Sequence, residues 1–254
     1  MKIFLYACLV LFFVSCQFEE TLTINEDGTG QANIMFNGNE MMQAMGEFAQ
    51  MGDSISGEKK EKAVDSTIYF KDVLKEKADS ISKLSKEEQK KLKRLKNVSI
   101  NYVVDESNGK FKLDMKFPFK RVKELSDFYE LFDLMDDYGP DTGASKQANK
   151  EEDPSPYDFT ETSYTYKPAY FERSTTVINQ EEYDKIVKKT QTALTMFEGS
   201  TYTYKINFPK KVKSVSHPKA LLGQDLKSVV INLSMADLFS SPHAMDLKVE
   251  FQDE

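Results

Sequence analysis

The sequence predicts an α+β fold: a mainly antiparallel sheet built from hairpins, with helices packed on one face. Apolar and polar residues alternate on both sides of short Gly-containing turns, which is typical of β-hairpins. Segments with apolar residues at helical spacing follow these hairpins. Of the 254 residues, 40% are hydrophobic and 12% aromatic, so the chain can bury a core and is not predicted to be disordered.

The first hairpin is predicted over residues 21–36, where strand-like alternation surrounds an Asp-Gly turn. Apolar residues at helical spacing follow it: Met41, Met45 and Phe48. Residues 50–66 are polar and contain Gly and Ser, which predicts a loop. Residues 67–96 favour two helices, and Ser85 with Glu88 forms a capping box before the second.

The clearest hairpin is predicted over residues 98–119, across a Ser-Asn-Gly turn. Because strand side chains alternate between faces, its second strand places five apolar residues on one buried face: Phe111, Leu113, Met115, Phe117 and Phe119. Helical spacing returns over residues 122–135. Residues from about 138 to 160 hold Gly, Pro, Ser and charged residues, which predicts a flexible loop.

The remaining segments follow the same alternation. Strands are predicted at residues 164–166, 202–208, 229–233 and 247–251, and helices at 183–197 and 235–239. Residues 21–254 are therefore predicted to form a single α+β domain. The order of strand, turn, strand and helix recurs along the chain, which fits either a divergent internal duplication or local recurrence without common ancestry.

The N-terminus predicts export and lipid anchoring. One positive charge precedes an apolar run over residues 3–14, which is shorter than the roughly 20 residues that span a bilayer and fits a signal peptide. A small residue and then Cys16 follow, which resembles a bacterial lipobox. Residues 1–15 are therefore predicted to be a signal peptide, with Cys16 lipidated at the start of a short linker over residues 16–20. An ordinary signal peptide with a chance cysteine is the alternative.

Cysteine usage agrees with a lipid anchor. The chain has two Cys, and Cys8 lies within the predicted signal peptide, so Cys16 is the single cysteine of the predicted mature chain. Acyl chains on Cys16 would attach the protein to a membrane of the bacterial cell envelope, predicted to be the outer membrane. Glu19 and Glu20 resemble the surface-export signals of Bacteroidota lipoproteins, although a solvated linker has the same composition. The periplasmic or surface side stays open.

Both ends of the predicted mature chain carry a family resemblance. The segment 22–30, Leu-Thr-Ile-Asn-Glu-Asp-Gly-Thr-Gly, resembles the opening of LppM-type bacterial envelope lipoproteins. The segment 206–212, Ile-Asn-Phe-Pro-Lys-Lys-Val, followed by a late strand, resembles their closing segment. The resemblance implies a lipid-anchored α+β domain, with lipid handling suggested for some members, and it supplies no catalytic residues. The chain is also similar to Bacteroidota lipoproteins in general.

Composition and motifs exclude several functional classes. A net charge of −7 and a pI near 5.2 argue against nucleic-acid binding. Two His and two Cys are too few for the usual Cys/His metal centres, and no cofactor is predicted. Neither a Gly-x-Ser-x-Gly nor a Walker motif occurs, so no catalytic residue is assigned and a non-enzymatic protein is predicted. A hydrolase with a carboxylate pair is the less favoured alternative.

Methionines cluster beside the first hairpin. Thioether side chains adapt to flexible apolar groups, so an apolar ligand is predicted to bind at Met41 and Met45. Ordinary core packing and Cu(I) binding are the alternatives. The predicted function is that of a lipoprotein that binds a lipid or an envelope protein, and a structural or assembly lipoprotein without a ligand is the alternative.

Two surface features complete the prediction. Basic residues concentrate over residues 86–96, which favours a solvated face or contact with the acidic segment 124–161; contact with anionic headgroups near the anchor is the alternative. Three Asp-Ser tripeptides match the pattern of Bacteroidota O-glycosylation, with acceptors Ser54, Ser66 and Ser80. Asp-Ser also begins helices, so both interpretations of these tripeptides stay open.

Overall fold

The computed structural model describes residues 17–43, 63–127, 156–194 and 199–253. Its strands are β1 (Gln17–Ile24), β2 (Gly30–Asn37), β3 (Val64–Tyr69), β4 (Ser99–Asp105), β5 (Lys110–Phe119), β6 (Thr160–Lys167), β7 (Tyr170–Val177), β8 (Thr201–Asn207), β9 (Val212–Val215), β10 (Ala220–Leu222), β11 (Ser228–Ser234) and β12 (Leu247–Phe251). Its helices are α1 (Phe70–Glu76), α2 (Ala78–Ile81), α3 (Lys86–Arg94), α4 (Gln180–Leu194) and α5 (Met235–Ser240). Residues 39–43 are also helical.

The strands form two sheets. The larger has the order β10-β11-β8-β1-β2-β5-β4-β3, and the smaller has the order β6-β7-β12-β9. Pairing is antiparallel throughout these sheets except between β1 and β8, which run parallel. The predicted α+β class with mainly antiparallel pairing is confirmed. The division into two sheets follows from β12, which pairs with β7 and β9 instead of joining the larger sheet.

The register of β5 agrees with its apolar alternation, and burial along the strand is graded. Met115, Phe117 and Phe119 are buried, whereas Phe111 and Leu113 are half-buried. Directly opposed residues of neighbouring strands lie on the same side of a sheet. Phe117, Ala32 and Leu22 therefore form one row across β5, β2 and β1. These three side chains form part of the continuous core, which extends into the four-stranded sheet.

Local turn and capping signals are present where the sequence places them. Gly28 and Gly109 adopt positive φ angles of 81° and 58° at the tips of the first two hairpins, where glycine has no steric penalty. Ser85 and Glu88 form the predicted capping box of α3. No helix in the described ranges has both the length and the apolar character needed to span a bilayer.

The predicted linker over residues 16–20 is wrong from Gln17 onward. Residues 17–20 are the first half of β1 and pair with both β2 and β8, so the described chain is a strand from its first residue. Cys16 itself lies outside the described residues. The two glutamates of the expected surface-export signal are strand residues, and Glu20 is buried.

Two further segments differ from the prediction. The edge strand β3 occupies Val64–Tyr69, where a loop up to residue 66 and a helix from residue 67 were expected. Its polar residues give no strand signal in the sequence. Of the expected loop over residues 138–160, the part up to 155 lies outside the described residues. The segment Pro156–Phe159 is a 3-10 helix and β6 begins at Thr160.

Candidate functional site

A chain of buried polar side chains connects the two sheets. Glu20 on β1 is 8% exposed and accepts a 2.5 Å hydrogen bond at Oε2 from the hydroxyl of Tyr202 on β8. Arg173 on β7 is 4% exposed, and its positive charge acts on Glu20 across the space between the sheets. Tyr164 on β6 belongs to the same set, because its hydroxyl accepts a hydrogen bond from Arg173. We call this set of side chains the inter-sheet network.

Arg173 has a dense set of hydrogen-bond acceptors. Its Nε donates to the Tyr164 hydroxyl at 3.2 Å, and its Nη1 donates to Asp246 Oδ1 at 3.0 Å and to Thr175 Oγ1 at 3.3 Å. Asp246 also accepts from the backbone N–H and the hydroxyl of Thr175, at 3.1 and 2.8 Å. His243 Nδ1 lies 2.8 Å from Asp246 Oδ2. The cost of burying the Arg173 guanidinium is therefore offset by the opposite charge of Asp246 and by hydrogen bonds to three acceptors.

Burial controls the protonation of this network. Desolvation raises the pKa of Glu20 above its ordinary value of 4.5, against the smaller lowering effects of the Tyr202 hydrogen bond and the Arg173 charge. Desolvation also raises the pKa of Tyr164, although the neighbouring Arg173 partly opposes it. Because its pKa is raised, the Glu20 carboxyl is neutral over a wider pH range in the folded protein than in the unfolded chain.

Stability should respond to pH through Glu20. A raised folded-state pKa gives a contribution to stability that is complete below pH 4.5 and is lost as pH rises through the raised pKa. Glu20→Gln keeps an acceptor for Tyr202 and removes the ionisation. Its free energy of unfolding, measured in urea from about pH 5 to about pH 8, should fall less than that of the wild-type protein. Glu19→Gln, on the opposite side of β1, should retain the wild-type slope; equal slopes in all three proteins would contradict this assignment.

The cavity beside Arg173 is too small for an organic ligand. A cavity of about 30 Å³ is lined by Arg173, Thr175, Tyr183 and neighbouring residues. That volume holds about one water molecule. The Glu20 carboxyl faces a guanidinium and a phenol, whereas glycoside hydrolysis needs two carboxyl groups flanking the substrate. The geometry supports a role in holding the two sheets together.

A half-buried apolar face lies at the Gln17 end of the larger sheet. The ring centroids of Phe18 and Phe36 are 4.6 Å apart, and those of Phe36 and Phe111 are 5.6 Å apart. The Phe111 backbone N–H donates to Asn39 Oδ1 at 2.9 Å, which ties the helical residues 39–43 to this edge. We call Phe18, Phe36 and Phe111 the aromatic face.

Predicted site residues lie at different places. Met41 is half-buried on the helical segment that begins at the aromatic face, whereas Met45 lies outside the described residues. Ser66 is half-buried in β3 rather than in the expected loop, and Ser80 is exposed on α2. Ser54 lies outside the described residues.

Two open clefts lie at the opposite end of the sheet and share Arg121. The first, of about 670 Å³, lies between the Glu26–Gly28 turn and the β6–β7 hairpin. The second, of about 640 Å³, lies between α3 and the end of β5. Because β1 extends about 3.3 Å per residue, Ile24 is about 23 Å from Gln17. The basic helix α3 therefore lies far from Gln17, the first described residue, which does not favour the expected headgroup contact near Cys16.

The inter-sheet network was missed by sequence analysis, because its residues interrupt the apolar alternation. Arg173 and Thr175 occupy inward positions of β7, and Glu20 occupies one of β1. The Phe-x-Arg-x-Thr alternation before α4 was the available signal for β7. Among the residues that the structure describes, no three His, Cys, Asp or Glu side chains are placed to hold a metal ion.

Comparisons with known proteins give little further information. No family model matches the chain, and no curated protein matches it. The NMR structure of the folded domain of LppM from Mycobacterium tuberculosis aligns with a TM-score of 0.36 and 9% identity, over 93% of this chain and 89% of that one. This distant likeness carries no argument about family or activity, so the sequence resemblance to LppM-type lipoproteins stays a prediction.

Proposed function

We propose that the protein is a non-enzymatic lipoprotein of the bacterial cell envelope, anchored through Cys16, that binds an apolar ligand at the aromatic face. An acyl chain is the ligand class that fits best, and the outer membrane is the proposed location. The observation that carries the proposal is the grading of burial along the sheet. Phe18, Phe36 and Phe111 at the Gln17 end are half-buried, whereas Leu22 and Phe117 farther along are buried.

The start of β1 supports contact between this end of the sheet and a membrane. Gln17 is already a strand residue, so a lipid on Cys16 would be separated from the fold by one peptide unit of about 3.8 Å. An anchor this short restricts how the domain can tilt on the bilayer. The aromatic face would then lie beside the acyl chains.

The side chains of this region suit a flexible apolar guest. Aromatic rings supply large apolar surfaces, and Met41 on the adjoining helical segment has an adaptable side chain. The competing function is that of a structural or assembly lipoprotein, in which these residues only complete the core.

The anchor is tested by comparing the wild-type protein with Cys16→Ala in a bacterial host. The wild-type protein should incorporate labelled fatty acid and partition into the detergent phase, and the variant should do neither. Equal partitioning without label in either protein would contradict anchoring.

Ligand binding is tested on the Cys16→Ala protein with a fluorescent fatty acid. Saturable binding is expected, and Met41→Glu should weaken it by about tenfold or more, because the new carboxylate must be desolvated against the acyl chain. Gln43→Glu is the control, since Gln43 is exposed on the same helical segment. Circular dichroism checks that both variants fold. Absence of saturable binding to fatty acids and phospholipids would leave the structural function.

A further inference from the structure

We infer that the cleft between α3 and the end of β5 binds an anion that carries several phosphate groups. Among the described residues, six cationic side chains and one carboxylate, that of Glu124, line this cleft. The cations are Lys90, Lys93, Arg94, Lys96, Lys120 and Arg121. This concentration of positive charge stands out in a chain whose net charge is −7.

The cleft is assembled from segments that are distant in sequence. α3 and the 3-10 helix that follows it supply one wall, and the turn after β5 supplies the other. Arg94 Nη2 donates to the Glu124 carbonyl at 2.9 Å and so joins the two walls. The sequence showed only the basic helix, and the fold adds Lys120 and Arg121 to it.

Glu124 holds the turn after β5 in place and neutralises little of the positive charge in the cleft. Its Oε2 accepts from the Lys120 backbone N–H at 3.1 Å, and its Oε1 lies 3.5 Å from Arg121 Nε. The Arg121 side chain is nevertheless 79% exposed, so its guanidinium can reach a ligand. Arg121 also lines the neighbouring cleft, where four basic residues lie with two acidic ones, Glu26 and Asp27; the basic ones are Arg121, Lys123, Lys167 and Lys210.

Charge density selects phosphate over carboxylate. The described lining of this cleft of about 640 Å³, with six cations and one carboxylate, has an excess of five positive charges. Pockets that hold small ligands have volumes in this range. A phosphate monoester carries about 1.5 to 2 negative charges, so about three phosphate groups balance the excess, whereas five separate carboxylates would be needed. Arginine forks and lysine ammonium groups are the usual partners of phosphate.

The experiment titrates tripolyphosphate into the full chain in a non-ionic detergent and measures heat. Saturable binding is expected, and it should weaken as salt rises above about 0.1 M, where the screening length is about 10 Å. Lys93→Glu/Lys120→Glu should weaken binding by about tenfold or more, since both side chains are exposed and both charges are reversed. A second arm replaces tripolyphosphate with phosphatidylglycerol in the micelles, and the arm that binds more tightly identifies the source as free phosphate or lipid headgroup.

The matched control is Lys185→Glu/Lys188→Glu on α4, which changes net charge equally outside both clefts. It should bind like the wild-type protein. If both double variants lost the same affinity for tripolyphosphate, the effect would come from net charge alone and the site would be overturned. The site is also overturned if the wild-type protein binds neither phosphate source. A glutamate peptide of matched charge that binds as tightly as tripolyphosphate would overturn the assignment to phosphate.

Discussion

Replacing Arg173 with methionine should lower the free energy of unfolding by about 3–5 kcal/mol. The guanidinium is 4% exposed and donates to Asp246, Tyr164 and Thr175. Methionine fills much of the volume but leaves the partly buried Asp246 carboxylate without its counter-charge. It also removes the charge that lowers the pKa of Glu20. Urea unfolding at neutral pH measures the loss.

Lys185→Met is the control for Arg173→Met. Lys185 pairs with Glu182 at 3.2 Å on the surface of α4, with its side chain 69% exposed, so the variant should lose less than about 1 kcal/mol. Combining Arg173→Met with Asp246→Asn should recover part of the loss, because the uncompensated carboxylate is then gone. A similar loss from Arg173→Met and Lys185→Met would show that the inter-sheet network contributes little to stability.

Phe117→Ala should cost about 3–5 kcal/mol, because a ring that is 4% exposed is replaced by a cavity. Phe117 lies opposite Ala32, a small residue that can fill little of the space. Thermal or urea unfolding measures the loss.

Two positions on the same strand test the register behind this expectation. Lys116→Ala, on the exposed side of β5, should change stability by about 0.5 kcal/mol or less. Phe111 is on the apolar side but is half-buried, so the loss of stability from Phe111→Ala should lie between those of Lys116→Ala and Phe117→Ala. If Lys116→Ala were as damaging as Phe117→Ala, the assignment of faces along β5 would be wrong.

The sequence predicted the elements whose apolar residues repeat with a clear period. The hairpin of β4 and β5 was predicted because both its strands alternate around a glycine turn, and α3 because its capping box marks the start. The strand β3 was missed because its edge position lets polar residues such as Asp65 replace apolar ones. Its pairing with β4 is a tertiary property that periodicity does not record.

The candidate sites show the same division. Lys93 and Arg94 could be identified as part of a basic segment from the sequence, but Lys120 joins them only because the turn after β5 lies beside α3. Glu20 was placed in a linker because an acidic residue after the predicted lipidation site has a simpler surface interpretation. The hydrogen-bond partner of its carboxyl is Tyr202, which is 182 residues later in the chain.

Because β1 pairs in parallel with β8, one edge of the first strand can be completed only late in folding. β2 can pair with one edge of β1 soon after both are synthesised, because they form a local hairpin. The other edge is completed only when Thr201–Asn207 is available, near the end of the chain. Until then it exposes backbone donors and acceptors that can pair with other chains. Under the proposed export from the N-terminus, β1 would be the first described strand to emerge and among the last to be completed.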